Sequence, residues 1–297
     1  MKTLLVGATG LLGPEICQRL TATGHQVRAL IRPTADAGKR AALVGLRVEL
    51  VEGDLKDAAS LERACAGVQT VVSTASSTLS RQIGDSIETV DHQGQLALVE
   101  AARQAGVNHF VLVSFRDNPS IRFPLTIAKR AVERALKASG MSYTILQASY
   151  FMEVWFTPAL GFDVANGKVR LYGDGNHPIS WISYRDVARA AAAAATEGTA
   201  RNMVVELGGP QALSLREVVR MFEAAGVGEI ATESIPESAL EAQMNAAADS
   251  LQKSFAGLML QCAAGDAIET TTSNRLFPFQ MTSVRDFITA QLVGARG

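Results

Sequence analysis

A glycine-rich segment near the amino end, Gly7-Ala8-Thr9-Gly10-Leu11-Leu12-Gly13, has the residue types and spacing of a phosphate-binding loop. It follows a short apolar run and opens a helix-like segment, which is the context that such a loop requires. We expect Gly7 to allow a tight turn, Gly10 to bring the backbone near a pyrophosphate, and Gly13 to let the helix pack closely. Backbone N–H groups at the helix start would face the negative charge. The alternative is a purely structural turn.

The second apolar run, Val27–Ile31, ends in Arg32 and is followed by Lys39 and Arg40. A site for NAD carries a carboxylate here to bind the ribose 2′-hydroxyl, and this sequence has none before Asp36. A guanidinium instead matches a 2′-phosphate in charge and geometry. We therefore expect NADP(H) as the cofactor, with a solvated surface arginine as the alternative for Arg32. The loop residues predicted to bind the cofactor are Gly7, Thr9, Gly10, Leu11, Leu12 and Gly13.

Four aromatic residues, Phe115, Tyr150, Phe151 and Trp155, follow strand ends that should converge on the nicotinamide. An aromatic pocket there suits a flat acceptor such as a quinone or an enone. Such an acceptor can take a hydride without a strong positioned acid, because the resulting anion is delocalised. We assign Tyr150 and Phe151 to the cofactor, and Phe115, Tyr150 and Trp155 to the substrate. The alternative is that these rings form the core of a second domain.

The first half of the chain alternates strands and helices. The predicted strands are Thr3–Val6, Gln26–Ile31, Arg47–Val51, Thr70–Ser73, His109–Ser114 and Ser142–Gln147. The predicted helices are Leu11–Thr23, Ala35–Val44, Ala58–Ala66, Ser86–Ala105 and Leu125–Ser139. Near-continuous apolar runs are typical of parallel strands buried on both faces. The pattern predicts an α/β fold with a doubly wound parallel Rossmann sheet.

The second half is less regular. It predicts a loop-rich stretch, a thin alanine-rich helix and a strand that rejoins the sheet, over Phe156–Pro178, Tyr184–Thr196 and Arg201–Leu207. Four more helices are predicted over Leu213–Ala225, Pro236–Asp249, Leu251–Ala264 and Val284–Leu292. We therefore expect an NADP-binding Rossmann domain over residues 1–150, rejoined by 184–208. Residues 151–183 and 209–297 would form a smaller, mostly helical substrate or lid domain.

Composition excludes several classes of function. Lys and Arg total 28 against 29 Asp and Glu, without a block of like charge, which argues against a nucleic-acid-binding surface. The cysteines and histidines are scattered, which argues against disulfides and a metal site. They are Cys17, Cys65, Cys262, His25, His92, His109 and His177. No apolar run is long enough to span a membrane, so we expect a soluble, cytoplasmic protein.

The loop Gly7–Gly13 resembles that of the short-chain dehydrogenase/reductase superfamily. Further segments resemble its atypical NmrA-like branch, in the expected order and over about half of the chain. They are Gly53–Leu55, Glu100–Ala102, Val107–Val111, Ala128–Glu133, Ser142–Leu146 and Tyr150–Glu153. The resemblance implies that two residues, Asp54 and Leu55, flank the adenine. It also implies that the residues after the fourth strand, Thr74, Ala75 and Ser76, line the middle of the cofactor.

The resemblance also suggests catalytic residues. Conventional members use Ser, Tyr and Lys; Ser114 and Lys129 match the first and last, whereas Leu125 stands at the tyrosine position. NmrA-like relatives also lack the tyrosine, and their lysine can hold the nicotinamide ribose or assist proton transfer. Lys129 is therefore the first candidate, for catalysis and for the cofactor, and Ser114 the second. The alternatives are a surface i,i+4 pair of Lys129 with Glu133 and a turn role for Ser114.

Together these features predict an enzyme, an NADPH-dependent reductase of a small planar electrophile such as a quinone or enone. The alternative is an NADP(H)-sensing regulator or assembly protein with a protein partner and little turnover. Leu96–Gly106 and Ser142–Phe151 resemble cyanobacterial and plastid proteins that assist photosystem assembly. A nucleotide-sugar epimerase is a third possibility, against which Leu125 counts, because that chemistry needs the base. Either a monomer or a homodimer fits.

Overall fold

The structure is a computed structural model that describes residues 1–79, 81–116, 118–198 and 200–294. The strands in this part are β1 Lys2–Val6, β2 Gln26–Ile31, β3 Glu49–Glu52, β4 Thr70–Ser73, β5 His109–Phe115, β6 Ser142–Ala148, β7 Phe162–Asp163, β8 Lys168–Tyr172, β9 Met203–Leu207 and β10 Ala231–Ile235. The α-helices are α1 Gly13–Ala22, α2 Ala37–Gly45, α3 Ala58–Cys65, α4 Gln95–Gln104, α5 Pro124–Ala138, α6 Met152–Trp155, α7 Tyr184–Glu197, α8 Leu215–Phe222, α9 Glu237–Ala246, α10 Ser250–Ala264, α11 Thr271–Leu276 and α12 Val284–Gly294. A π-helical segment covers Ile87–Gly94, and a helical turn over Glu223–Val227 is interrupted at Gly226, which has φ +96°.

The chain divides into two compact units. The first comprises Met1–Phe115, Pro124–Gln147 and Val187–Val205. The second comprises Arg116–Phe123, Ala148–Asp186 and the chain from Glu206 onward. The chain therefore passes from one unit to the other several times.

A seven-stranded sheet is built mainly from the first unit, in the order β3-β2-β1-β4-β5-β6-β9. β1 lies between β2 and β4 and is parallel to both. The pairs β2–β3 and β4–β5 are also parallel. The strand order therefore reverses between β1 and β4, the switch point beside which ligands bind in open α/β sheets.

Both faces of this sheet are covered, as the apolar runs predict. Alternate strand residues, including Leu4 and Phe110, join one apolar core with residues of α3, α4 and α5. The residues between them, including Leu5 and Val111, face the other way and are equally buried. Burying each such side chain contributes about 1.5–3 kcal/mol to folding. The doubly wound parallel sheet is confirmed.

One helix of the first unit differs from its prediction. The segment predicted as a single helix over Ser86–Ala105 is a π-helix, Ile87–Gly94, followed by α4. Its start is set by Ser86 and Thr89, whose side chains each accept the other residue's backbone N–H. A π-helix has i→i+5 hydrogen bonds in place of i→i+4, so its register shifts relative to an α-helix. Its side chains therefore point in directions that an α-helical periodicity does not predict.

The second unit contains a small sheet that the sequence did not predict. Part of the stretch predicted to be loop-rich, Phe156–Pro178, forms β7 and β8, and β10 pairs in parallel with β8. β8 alternates exposed Lys168 and Arg170 with buried Val169 and Leu171, which is a period-2 signal in a very short run. β10 is mostly exposed and has no apolar run, so periodicity could not reveal it.

Candidate functional site

The predicted phosphate loop lies between β1 and α1, and its glycines are required by close contacts. Gly7 has φ +95°, and a Cβ there would lie 2.5 Å from Thr74 Oγ1 and 2.9 Å from Ala75 N. The Gly10 N–H donates to the Gly7 carbonyl at 3.0 Å and closes the turn. A Cβ on Gly13 would lie 2.3 Å from the Ala8 carbonyl oxygen. The loop therefore excludes side chains where it meets α1 and the segment after β4.

Helix α1 begins without a side-chain cap. Leu12 stands at the N-cap position, Pro14 lies in the first turn, and no side chain of the described residues bonds the cap. The first N–H groups of a helix lack intrahelical partners, so this end presents donors. Thr9 and Leu11 are partly exposed, whereas Leu12 is buried. The Lys39 ammonium donates to the Thr9 carbonyl at 3.1 Å, which brings a cation to the loop.

The residues after β4 continue the same arrangement. The Thr74 N–H donates to the Val6 carbonyl at 2.9 Å, so β4 and β1 stay paired up to the glycine loop. Gln95 holds the next turn, because its amide donates to the Ala75 carbonyl at 2.9 Å and accepts from Ser73 Oγ. Ser76 Oγ bonds Thr78 Oγ1. The loops after β1 and β4 thus form one cradle at the switch point.

Arg32 directly follows the last residue of β2, and its guanidinium pairs with a carboxylate. Arg32 Nη1 lies 2.6 Å from Asp85 Oδ2, and the Lys56 ammonium pairs with the same carboxyl group. Burial raises the pKa of Asp85, but hydrogen bonds from Lys56, the Gln82 N–H and Arg32 outweigh it and leave the pKa below its ordinary value. Lys56 also pairs with Asp54 at 3.1 Å.

The two residues predicted beside the adenine lie at the end of β3. The Asp54 N–H donates to Ser60 Oγ at 3.1 Å, and the Asp54 carboxylate accepts from the Lys56 N–H at 2.9 Å. Leu55 is buried and lies against Gly94, where a Cβ would be 2.8 Å from Leu55 Cβ. Asp54 is therefore the more accessible of the two.

Lys129 is buried in a group that we call the Lys129 cluster, formed by Lys129, Asp91 and Ser77. Its Nζ lies 3.6 Å from Asp91 Oδ1, and Asp91 Oδ1 has no hydrogen-bond partner in the described part of the chain. Asp91 Oδ2 accepts from the Ser77 N–H at 2.9 Å and from Ser77 Oγ at 2.7 Å. Because Ser77 follows Thr74–Ser76, the cluster is tied to the loop that contacts Gly7. The alternative of a surface pair between Lys129 and Glu133 is wrong, since both residues are buried and Lys129 pairs with Asp91.

Ser114 belongs to a second group, the Ser114 cluster, formed by Ser114, Arg130, Glu133 and Gln147. The Ser114 hydroxyl donates to Glu133 Oε1 at 2.6 Å and accepts from Arg130 Nη2 at 3.1 Å. Arg130 also donates to Glu133 Oε1 and to the Phe115 carbonyl. The Gln147 amide donates to both Glu133 oxygens. Ser114 thus contacts Arg130 and Glu133 of α5, and its catalytic role stays a prediction.

Sequence reasoning missed Asp91, Gln95, Asp85 and Glu133. Asp91 and Gln95 are four residues apart and both buried, which is unusual for polar residues. The available sequence signal was this pair of polar residues at i,i+4 spacing on an otherwise apolar helix face, which indicates a buried polar site. The π-helix obscured it, because the register of the face changes there.

In the second unit, the predicted aromatic residues Tyr150 and Trp155 are buried in an aromatic cluster. Their ring centroids lie 4.6 Å apart in an edge-to-face arrangement, and Trp181 packs against both. The Tyr150 hydroxyl donates to the Leu258 carbonyl at 3.1 Å, and burial raises the pKa of Tyr150 well above its ordinary value. Phe151 is partly buried and bridges to Ile182. Their roles toward cofactor and substrate, and that of partly exposed Phe115, stay predictions.

Two other kinds of site are absent from the described residues. No group of three or more His, Cys, Asp or Glu side chains there could hold a metal ion. No helix there is both long and apolar enough to cross a membrane.

Comparison with known proteins places this geometry in a family. The chain is 31% identical over 224 residues to the NAD(P)H azoreductase of Xenophilus azovorans, covering 75% of this chain and 73% of that protein. It is 27% identical over 224 residues to the photosystem II assembly factor Ycf39 of Trieres chinensis, covering 75% and 68%. The fold matches the quinone oxidoreductase QOR2 of Escherichia coli complexed with NADPH, with a TM-score of 0.81, 22% identity and coverage of 98% and 99%. The model of the NmrA-like family matches residues 1–288, and the chain therefore belongs to the NmrA-like family.

Proposed function

We propose that the protein is an NADPH-dependent reductase that transfers hydride to a small planar electrophile. The observation that carries the proposal is the cradle at the switch point, where Gly7 packs directly on Thr74 and Ala75. A Cβ at Gly7 would clash with Thr74 and Ala75, and a Cβ at Gly13 would clash with the Ala8 backbone, so the loop can pack this closely only with glycine at both positions. An uncapped helix start and Lys39 on the Thr9 carbonyl add positive character. These features fit a dinucleotide diphosphate.

Arg32 and Lys39 are the proposed partners of the 2′-phosphate. Arg32 directly follows β2, the position at which dinucleotide folds contact the adenosine ribose, and Lys39 of α2 places its ammonium on the Thr9 carbonyl of the glycine loop. Asp54 would lie beside the adenine, and Thr74, Ala75 and Ser76 beside the middle of the cofactor. The azoreductase relative uses NAD(P)H, by its name, and QOR2 was solved with NADPH.

A bound NADPH would supply the hydride. The chain's own residues would then have to stabilise the negative charge that develops on the acceptor and allow its protonation. Lys129 is the proposed group, because it is buried and its Nζ lies beside a carboxylate oxygen, Asp91 Oδ1, that accepts no hydrogen bond from the described residues. It would hold the nicotinamide ribose and stabilise negative charge that develops on the acceptor. Leu125, at the usual tyrosine position, is buried and offers no proton. The acceptor is therefore one whose reduced anion is delocalised, such as a quinone or enone.

The relationship to the Ycf39 assembly factor favours a second candidate, a nucleotide-sensing assembly protein with little turnover. Such a protein would use the same cradle, so cofactor binding alone does not separate the two. Turnover with a small acceptor favours the reductase. Tight NADPH binding without turnover, together with a captured protein partner, favours the alternative.

The test is NADPH oxidation, followed by absorbance, with a panel of quinones, enones and azo compounds. We expect turnover with at least one acceptor class. A Gly10→Val variant should lose NADPH binding while folding normally, because its side chain would project over the turn 3.2 Å from the Gly7 carbonyl. Normal NADPH affinity in a folded Gly10→Val protein would refute the cradle assignment. Tight binding without turnover across the panel would refute the reductase.

A further inference from the structure

A short acidic turn lies against the residue proposed to bind the 2′-phosphate. In the turn Gln82–Asp85, the Asp85 N–H donates to the Gln82 carbonyl and the Gln82 N–H donates to Asp85 Oδ2 at 2.9 Å. Thr34 Oγ1 donates to Gln82 Oε1 at 2.6 Å, which joins the turn to the segment after β2. Arg32 Nη1 donates to Asp85 Oδ2 at 2.6 Å. The turn is therefore held to the end of β2 by two side-chain contacts.

The Asp85 carboxylate occupies a donor of Arg32 from a buried position. Its side chain is only 1% exposed, whereas the Arg32 side chain is 24% exposed. Lys56 pairs with it from another side and also pairs with Asp54, so Arg32 and Lys56 share the Asp85 carboxylate. A charge-assisted bond of a guanidinium to a carboxylate uses the same donors that a phosphate would use. A second anion at Arg32 would therefore compete with Asp85 for the guanidinium donors and would be repelled by the Asp85 charge.

On the basis of the proposed function, we propose that Asp85 is a specificity-determining residue that competes with the 2′-phosphate of NADPH for Arg32. NADH has a 2′-hydroxyl there, with no charge to compete. Asp85 therefore reduces the preference for NADPH over NADH that Arg32 and Lys39 create. Its contact with Arg32 must open or rearrange when a 2′-phosphate binds.

The experiment measures the dissociation constants of NADPH and NADH by calorimetry for the wild type and Asp85→Asn. We expect NADPH to bind about fivefold more tightly to Asp85→Asn, equivalent to about 1 kcal/mol, because the change releases Arg32 donors and removes the negative charge that repels the 2′-phosphate. NADH affinity should stay within about twofold. Asp85→Glu, which keeps the charge, should resemble the wild type. Glu49→Gln is the matched control, because it removes the carboxylate partner of Arg28 and Lys2 at the start of β3.

The Arg32→Ala background separates this inference from the proposed function. If Arg32→Ala weakens NADPH but not NADH, the 2′-phosphate assignment holds, and Asp85→Asn should then have no effect in that background. If Arg32→Ala discriminates but Asp85→Asn alone leaves the NADPH affinity unchanged or weaker, the role of Asp85 is refuted. If Arg32→Ala weakens both cofactors equally, the proposed site itself fails.

A measurement on the wild type covers the case in which Asp85→Asn does not fold. Amide hydrogen exchange at Gln82 should rise with saturating NADPH and not with NADH, because the Gln82 N–H bonds the carboxylate that the 2′-phosphate displaces. Equal exchange with the two cofactors would overturn the proposal.

Discussion

The Lys129 cluster and the Ser114 cluster are both buried, and they include the neighbouring α5 residues Lys129 and Arg130. They differ in how completely their carboxylates are hydrogen-bonded. In the Ser114 cluster, both oxygens of Glu133 accept hydrogen bonds, from Ser114, Arg130 and Gln147. In the Lys129 cluster, Asp91 Oδ2 accepts two hydrogen bonds from Ser77, whereas Oδ1 accepts none from the described residues and lies 3.6 Å from the Lys129 ammonium. A buried charge with unused hydrogen-bonding capacity is costly unless a ligand completes it. We therefore predict that the fully bonded Glu133 carboxylate stabilises the fold and that Asp91 and Lys129 serve the proposed site.

The largest expected effect is on stability, from the Ser114 cluster. Glu133→Ala removes the acceptor of three side chains and leaves Arg130 without its carboxylate. We expect a loss of about 3 kcal/mol in the free energy of unfolding, measured by urea denaturation. Glu133→Gln, which keeps the size, should lose less. A loss below about 1 kcal/mol for Glu133→Ala would contradict the stabilising role.

A buried residue without an ionic partner sharpens the comparison. His109, at the start of β5, hydrogen-bonds Thr144 through Nε2, and its Nδ1 has no hydrogen-bond partner among the residues that the structure describes. Burial, with a smaller contribution from Arg201, lowers the pKa of His109 to about 4. Below about pH 6.5 the imidazole is protonated in the unfolded chain, whereas in the folded protein it stays neutral down to about pH 4. The free energy of unfolding therefore falls as the pH drops from 6.5 to 4.

We expect His109 to account for about 2 kcal/mol of lost stability between pH 7.5 and pH 5. The measurement is urea denaturation at both pH values for the wild type and His109→Gln, which lacks the titrating ring. Parallel pH dependence in the two proteins would show that His109 is not the cause.

The smallest effect concerns Ser114, for which the sequence suggested a catalytic role. Ser114→Ala removes one donor to Glu133 but leaves Arg130 and Gln147 bonded to it. We expect a stability loss of about 1 kcal/mol and turnover within about threefold of the wild type. A much larger loss of turnover with normal stability would assign Ser114 to catalysis and weaken the contrast between the clusters.

The first unit was largely predictable because its signals are local. The observed bounds of β2 and β4 match the predicted runs Gln26–Ile31 and Thr70–Ser73, since buried parallel strands are continuously apolar. The glycine loop was found for the same reason, because its spacing and its place after β1 are both read along the chain. The small sheet of the second unit was missed, since β10 carries no apolar run.

The polar clusters were only half predictable. Lys129 and Ser114 were identified through resemblance, but their partners depend on contacts across the sequence, such as Ser77 with Asp91 and Ser114 with Glu133. The π-helix that carries Asp91 leaves no simple periodic signal. Arg32 was predicted to bind a 2′-phosphate. Its pairing with Asp85 was not predicted, because the two residues are 53 positions apart and such a contact leaves no local sequence signal.

The most direct test of the central claim is NADPH oxidation with one accepted quinone by the wild type, Lys129→Met and Lys137→Met. Lys137 is an exposed lysine of the same helix and serves as the control. We predict that Lys129→Met lowers turnover at least about tenfold, equivalent to about 1.4 kcal/mol in the barrier, while the fold stays intact and Lys137→Met stays active. Full turnover in Lys129→Met would contradict the account and leave the Lys129–Asp91 pair a structural feature.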